Sequence, residues 1–454
     1  MSEWIEKQIG EIGYFKTSGV DKVIKPDEHV VRLVNYMDVY NSVRIDKGFY
    51  LSETSATQHE IDSFDLKKGD VLFTPTSETP DDIGHSSVVI EDLDNTLYSY
   101  HLTRFREFEE KQLDDEFKAY CFNQYYVLHQ FEKKAAGTTR FTLTRGSFET
   151  TYLRFPKDKG VQNKIAKILS TADAVIEKTQ AAIAKYKAIK QGMLQDLFTR
   201  GIDLNTNKLR PRYEDAPDLY KESKLGMIPR EWEEKIVDDI AKVNGRVGWK
   251  GYTVADLRDF GPLALGATHI DKENKLDLSN PIHLSMEKYI ESPEIIVQFG
   301  DLLIVQRGTI GKIVVIDRQI GEATINPSMV LLNNIKINNF FLYYQLCSFI
   351  GQLQIELLTT QTGVPMISQE QIKNINLIIP KNPKETDAIA ERLKNIDAIL
   401  DNEKSYLQKM QSLKKGLMED LLSGKKQVKV AEEVLTQSEN YNGRIYQCRK
   451  TVFR

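Results

Sequence analysis

The chain has 454 residues, 41% hydrophobic and 28% charged, with a formal net charge of -4; this excludes a disordered or collagenous protein and leaves room for two or three domains with sizeable cores. The slight negative charge excludes a wholly basic nucleic-acid binder, although a large protein can carry a basic groove on an acidic body. Its cysteines, Cys121, Cys347 and Cys448, stand far apart with no CxxC pair, so neither disulfides nor a structural zinc is implied, and the spacing points to a reducing compartment.

In chain order, the opening Glu3-Trp4-Ile5-Glu6-Lys7 lacks the basic start and apolar centre of a signal peptide, and no apolar run is long enough for a membrane span, so a cytoplasmic location is expected. Residues 1–151 read as a first globular domain, strand-rich around Gly69-Asp70-Val71-Leu72-Phe73 and Ser87 to Glu91. The loop after that first strand supplies the binding candidates Thr74, Thr76 and Ser77; Thr138-Thr139-Arg140, just before the domain's last strand, supplies Thr139 and Arg140. Asp81-Asp82 and Asp114-Asp115 read as solvated charges, and the histidines show no metal-ligand spacing.

Residues 152–202 begin with an extended segment, Tyr152 to Pro156, whose proline stops the strand and helps set a helix start. A long amphipathic helix follows, striped by Leu169, Ala172, Ile176, Ile183, Tyr186, Met193 and Leu197. Residues 203–227 read as a polar, proline-containing linker.

Residues 228–375 read as a second globular domain opened by Ile228-Pro229-x-x-Trp232. Its binding candidates are Gln306, Arg307, Thr309 and Lys312 in a glycine-containing loop, the basic-aromatic group Arg246, Trp249, Lys250 and Tyr252, and Gln361 and Thr362 in Thr360 to Gly363. Asn326-Pro327-Ser328-Met329 lacks the second proline and the aromatic of an amino-methyltransferase motif and reads as a turn into a strand. Residues 376–424 repeat the strand and long helix, with a stripe of Leu393, Ile396, Leu400, Leu407, Met410, Leu417 and Leu421 that counts the polar Glu403 and Lys414 as seam positions. The tail, 425–454, carries no repeat.

The organising feature is duplication. Slid by 224 positions, the offset from Leu153 to Leu377, the stretch to Phe198 lies without a gap on the stretch to Leu422. Identical pairs include Pro156 with Pro380, Asp173 with Asp397, Lys190 with Lys414 and Gly192 with Gly416. More weakly, Trp4 parallels Trp232, and Gly69-Asp70 parallels Gly300-Asp301. About 38 helical residues at 1.5 Å each span roughly 57 Å, wider than a small domain. The expected fold is therefore α+β: two mixed α/β globular domains separated by two long antiparallel helices, an intrachain coiled coil of pseudo-two-fold design.

These residues, together with the helix endings Lys190-Gln191-Gly192-Met193-Leu194-Gln195-Asp196-Leu197 and Lys414-Lys415-Gly416-Leu417-Met418-Glu419-Asp420-Leu421, resemble the specificity (S) subunits of type I restriction-modification systems. The resemblance covers Trp4 to about Gly424. It implies two target recognition domains, each reading half of a split site in double-stranded DNA, and helices that set the spacing and dock two methyltransferase (M) subunits and, through them, restriction (R) subunits. It also implies a chain without catalysis of its own, with S-adenosylmethionine, ATP and magnesium on the partner subunits. No glycine-rich cofactor loop or Walker lysine is present. Two other readings are a coiled-coil scaffold that binds only proteins and a fused nuclease or methyltransferase.

Overall fold

The structure, a computed structural model, describes residues 3–246, 251–360 and 364–428. The candidates Trp249, Lys250, Gln361 and Thr362, and most of the tail, lie outside the described residues. The rest divides into two compact units, one drawn from Met1–Lys178 and Leu407–Arg454, the other from Thr179–Tyr406. Each unit thus combines one globular head with part of both long helices.

In the first head, short runs of β-branched and aromatic residues form a five-stranded sheet in the order Gly13–Thr17, Thr103–Glu107, Val71–Phe73, Ser86–Val89, Arg44–Ile45, antiparallel except for the last pair. Its buried face carries Phe15, Phe73 and Phe105, against which helices Asp115–Cys121, Tyr125–Lys134 and Arg145–Glu149 set Phe122, Phe131 and Phe148. Neighbouring rings lie 5.1 to 6.1 Å apart, all but one pair edge-on or tilted, the geometry aromatic quadrupoles favour.

The expected surface acids Asp114 and Asp115 are structural instead. Asp114 caps a helix by accepting the Phe117 N–H at 3.0 Å, and Asp115 pairs at 2.8 Å with Lys118, which also meets Glu107 at 2.7 Å. Burial alone would pull the Lys118 ammonium down, but the two carboxylates outweigh it and hold its pKa up. Asp82 is likewise engaged, by His85 at 2.8 Å and by the Tyr40 hydroxyl.

The second head pairs Lys242–Gly245, Met329–Asn333, Leu302–Val305 and Ile313–Val315 in one antiparallel sheet, covered by helices Asn339–Cys347 and Phe349–Leu358. The segment expected as a linker folds as two hairpins, Ile202–Asp203 with Lys208–Leu209 and Tyr220–Ser223 with Gly226–Pro229. Arg210 holds it down: buried, it meets Glu385 at 2.5 Å and Glu231 at 2.6 Å. Glu385 also accepts from Ile202 N at 2.8 Å and Trp232 Nε1 at 3.2 Å. Composition marked the segment as polar, but one of its two arginines, Arg210, has a buried acid to reach.

Both heads close the same way. Strand Trp4–Gln8 pairs with Tyr152–Pro156 so that Trp4 faces Pro156, and Trp232–Ile236 pairs with Asn376–Pro380 so that Trp232 faces Pro380. The prolines end the strands, while the helices, Lys159–Thr199 and Pro383–Leu422, start from caps on Asp158 and Asn382. Each tryptophan covers a glycine that ends the other head's helix: a Cβ on Gly201 would lie 2.5 Å from the Trp232 ring, and one on Gly424 3.0 Å from the Trp4 ring. Both glycines have positive φ, as helix ends with a left-handed terminator require.

The repeat extends further back than Leu153. Tyr120 and Tyr344, at the same offset, donate at 2.7 Å to Asp173 and Asp397, and Gln130 and Gln354 each clamp the first residue of the strand before the long helix, Tyr152 and Asn376, through its N–H and C=O.

Within each unit the long helices are antiparallel. In the first, Asp173 meets Lys414 at 2.5 Å, and Ile165 and Leu169 share a core with Leu417 and Leu421. In the second, Lys190 meets Asp397 at 2.5 Å, and Leu197 packs in the core that holds Ile389 and Leu393. Of the expected seam, Leu169, Ile183, Leu393 and Leu400 are buried, whereas Ile176, Leu407 and Leu417 are half-buried.

The heads differ at their matched aspartates. Asp70 is gripped by Arg106 through two bonds of 2.7 Å; Asp301 has no cation partner among the described residues, and burial pushes its pKa up to about 6, against the backbone bond from Gln298 that favours the anion. A carboxyl whose folded pKa lies above its ordinary value of about 4 loses its contribution as pH rises through 4 to 6, at most ~3 kcal/mol. Asp301→Asn is expected to raise the melting temperature of the second unit at pH 7.5 by on the order of 5 °C and to leave it nearly unchanged at pH 4; equal shifts at both pH values would contradict this.

Candidate nucleic-acid interface

In each head, two segments far apart in sequence meet. In the first, strand Thr76–Ser77 pairs with Phe141–Thr142, which sets Arg140 beside the loop that follows the central strand. In the second, Arg307 and Thr360 both bridge to Met366, which brings the stretch before the last strand beside the Gln306 to Lys312 loop. The described parts of these segments therefore meet at matched positions, one pair per head.

The first pair lines an open cleft of about 310 Å³ formed by Tyr36, Met37, Tyr40, Thr76, Ser77, Glu78, Thr79, Asp82 and Arg140. Helix Tyr36–Asn41, begun by the Asn35 cap, stacks Tyr36 and Tyr40 with ring centroids 6.1 Å apart. Tyr36 donates to Thr76 O at 2.7 Å, and burial raises its pKa. Hydroxyls, two carboxylates and one exposed guanidinium thus share a small space. They can accept from exocyclic amines, donate to ring nitrogens and carbonyls, and hold a phosphate.

Several candidates play other parts. Thr74 is fully buried beside His85. Gln306, 7% exposed, donates to Pro327 O at 2.8 Å. Arg246, 3% exposed, spends its guanidinium on Ile325 O at 2.9 Å and Thr324 Oγ1 at 3.1 Å, and burial lowers its pKa. Lys312 donates to Ile270 O at 2.8 Å. Thr74, Gln306 and Arg246 are buried and brace the fold, because a buried donor is satisfied internally; Lys312 is half-buried. Arg307, Thr309, Thr139 and Arg140 are exposed, and Thr76, Ser77 and Tyr252 half-exposed. Arg307 Nε lies 3.2 Å from Met366 Sδ, a weak acceptor that leaves the guanidinium edge available. Asn326 accepts from Ser328 N at 2.9 Å, the turn expected before strand Met329–Asn333.

The sequence reading missed Tyr36, Tyr40 and Asp82. Asn35 followed three residues later by Asp38 is a helix-start signature, but nothing local announces that this helix faces Arg140. Among the described residues, no three His, Cys, Asp or Glu side chains come together as a metal cage, and no helix is long and apolar enough to cross a membrane.

Two α+β heads, each carried by an antiparallel helix pair and each presenting polar loops from matched positions, define a duplicated recognition protein. The chain belongs to the type I restriction modification DNA specificity domain family, whose domain matches it twice, over residues 1–186 and 229–412. The type I restriction enzyme MjaVIII specificity subunit of Methanocaldococcus jannaschii is 27% identical over 274 residues, 59% of this chain and 60% of that protein. A putative MjaX specificity subunit from the same organism is 25% identical over 389 residues, 82% of each chain. Among solved structures, the type I restriction-modification S subunit from M. genitalium has a TM-score of 0.55 at 16% identity, covering 92% of this chain and 96% of its own. A chain from a structure concerned with complex assembly and conformational transition of the type I R-M system has a TM-score of 0.52 at 15% identity, over 92% and 97%. At these identities the structures establish the fold, and the family assigns this chain a specificity subunit's pair of target recognition domains.

The two arginines that sequence treated alike should separate on mutation. Arg246→Ala is expected to lower unfolding free energy by about 2 to 4 kcal/mol, since it leaves buried acceptors unpaired, whereas Arg307→Ala should stay within about 0.5 kcal/mol of the parent. Denaturant titration of both variants checks this, and equal losses would reverse the assignment of Arg246 or of Arg307.

Proposed function

We propose that each head reads one half of a bipartite site in duplex DNA, that the long helices hold the heads at a fixed separation and dock two methyltransferase subunits, and that restriction subunits join through these. The observation that carries the reading is the double match of one DNA specificity domain to two heads whose loops converge in the same way. In this reading the chain acts in the cytoplasm and performs no chemistry; S-adenosylmethionine, ATP and magnesium serve the partner subunits. Because the first head offers carboxylates and hydroxyls around Arg140 and the second offers Arg307 and Thr309, the two half-sites differ in sequence.

Methylome sequencing of DNA treated with the complex reconstituted with its methyltransferase subunits reads both half-sites and their spacing. Removing one heptad from each helix takes away about 10 Å, so the nonspecific spacer should shorten by roughly three base pairs with both half-sites kept. An unchanged spacer would refute the ruler.

Arg140→Ala should relax or weaken the half-site read by the first head, and Arg307→Ala the other, each by about tenfold, the equivalent of ~1.4 kcal/mol. Binding should also fall steeply with salt. A salt-insensitive complex, or loss at both halves from either variant, would favour the protein-scaffold reading.

A further inference from the structure

The apolar seam of the helix pair does not define its own register. Its stripe repeats every seven residues, so sliding one helix by a heptad puts apolar residues back against apolar residues along much of its length. The charged positions do not repeat. In the observed register Asp173 meets Lys414 and Lys190 meets Asp397, both at 2.5 Å, with the four side chains about three-quarters buried or more.

A slip of seven residues one way faces Asp173 with Leu421 and Lys190 with Lys404; the other way faces Asp173 with Leu407 and Lys190 with Ala390. Either slip strands both half-buried aspartates and both lysines, a cost of the kind that makes one polar group in a coiled coil select its register. Each aspartate is also bound at 2.7 Å by a tyrosine from its head, Tyr120 or Tyr344, and Arg44 stands 3.9 Å from Asp173. Each clasp therefore ties one head to both helices at a single point.

We propose that the clasps Tyr120–Asp173–Lys414 and Tyr344–Asp397–Lys190 specify the register of the helix pair and thereby the number of base pairs between the half-sites. The second clause rests on the helices being the spacer; the first does not. These are positioning residues.

The test uses the second clasp, in which no arginine pairs with the aspartate among the described residues, in full-length chains bearing Asp397→Lys, Lys190→Asp or both. Spin labels at the exposed positions Ala184→Cys and Asn402→Cys, in a background of Cys121→Ala, Cys347→Ala and Cys448→Ala, read the register directly. Either single reversal should add a second, longer distance population, because a one-heptad slip offsets the facing labels by about 10 Å along the helix axis, and the methyltransferase complex should then modify sites with more than one spacer length while both half-site sequences persist. The double variant should restore one distance and one spacer.

A single narrow distance in Asp397→Lys, with an unchanged spacer, would overturn the proposal even if the melting temperature fell. If the single variants do not fold, the double variant decides: one native distance supports the proposal, and a split distance or an unfolded chain overturns it. Label distances need no DNA. If they split as expected while the spacer stays fixed, the ruler reading fails and the assignment of register stands.

Discussion

A carboxylate half-buried between two helices needs a cation from the facing helix, and that requirement shapes this protein. Each long helix carries an aspartate toward its start and a lysine 17 residues later, at Asp173 and Lys190 in the first and Asp397 and Lys414 in the second. Parallel pairing in equivalent register would set aspartate beside aspartate and lysine beside lysine. Only the antiparallel pairing lets both acids find both bases. The two-fold character of the chain is thus an electrostatic consequence of duplicating one helix that is self-complementary head to tail.

The same logic explains how the heads are attached. Neither head rests on its own helix alone: Trp232 and Glu385 bind the end of the first helix, and Trp4 covers the glycine that ends the second. In the second unit the loop at Asp271 to Lys275 adds pairs from Lys275 to Asp401 and from Lys404 to Glu273. Each head is thus fastened to both long helices at several points.

What the sequence made legible was periodic or repeated. The leucine stripe, the paired tryptophans and the strand-to-helix joints stood out because apolar spacing and identity at a fixed offset survive without knowledge of contacts. Asp173, Asp397, Lys190 and Lys414 were visible as identical pairs, but Lys414 passed for a tolerated polar interruption because its partner lies across the helix pair. Tyr120 and Tyr344 sit where the surrounding identity has decayed and only spacing remains. For the candidate interface, residue type was a poor guide. Arg246, Gln306 and Lys312 have the donors that base reading needs, and those donors also suit closing a loop from within. Which use prevails depends on the direction a side chain leaves the strand, and for Arg140 and Tyr36 on a meeting of segments about a hundred residues apart.

The side-swapped clasps also order the birth of the molecule. Every partner in the second unit lies between Thr179 and Tyr406, so that unit is complete in sequence before the first, which must wait for the far end of the second helix. From the synthesis of Asp173 to that of Lys414 the ribosome adds 241 residues, roughly 10 to 50 s at 5–20 residues per second. Through that interval Asp173 has Tyr120 and, 3.9 Å away, Arg44, both already made. In the other clasp the order is reversed: Lys190 precedes Asp397 by 207 residues, so the group that waits is a cation, and no arginine pairs with Asp397 among the described residues. The clasp whose carboxylate must wait is the one with a second cation beside it.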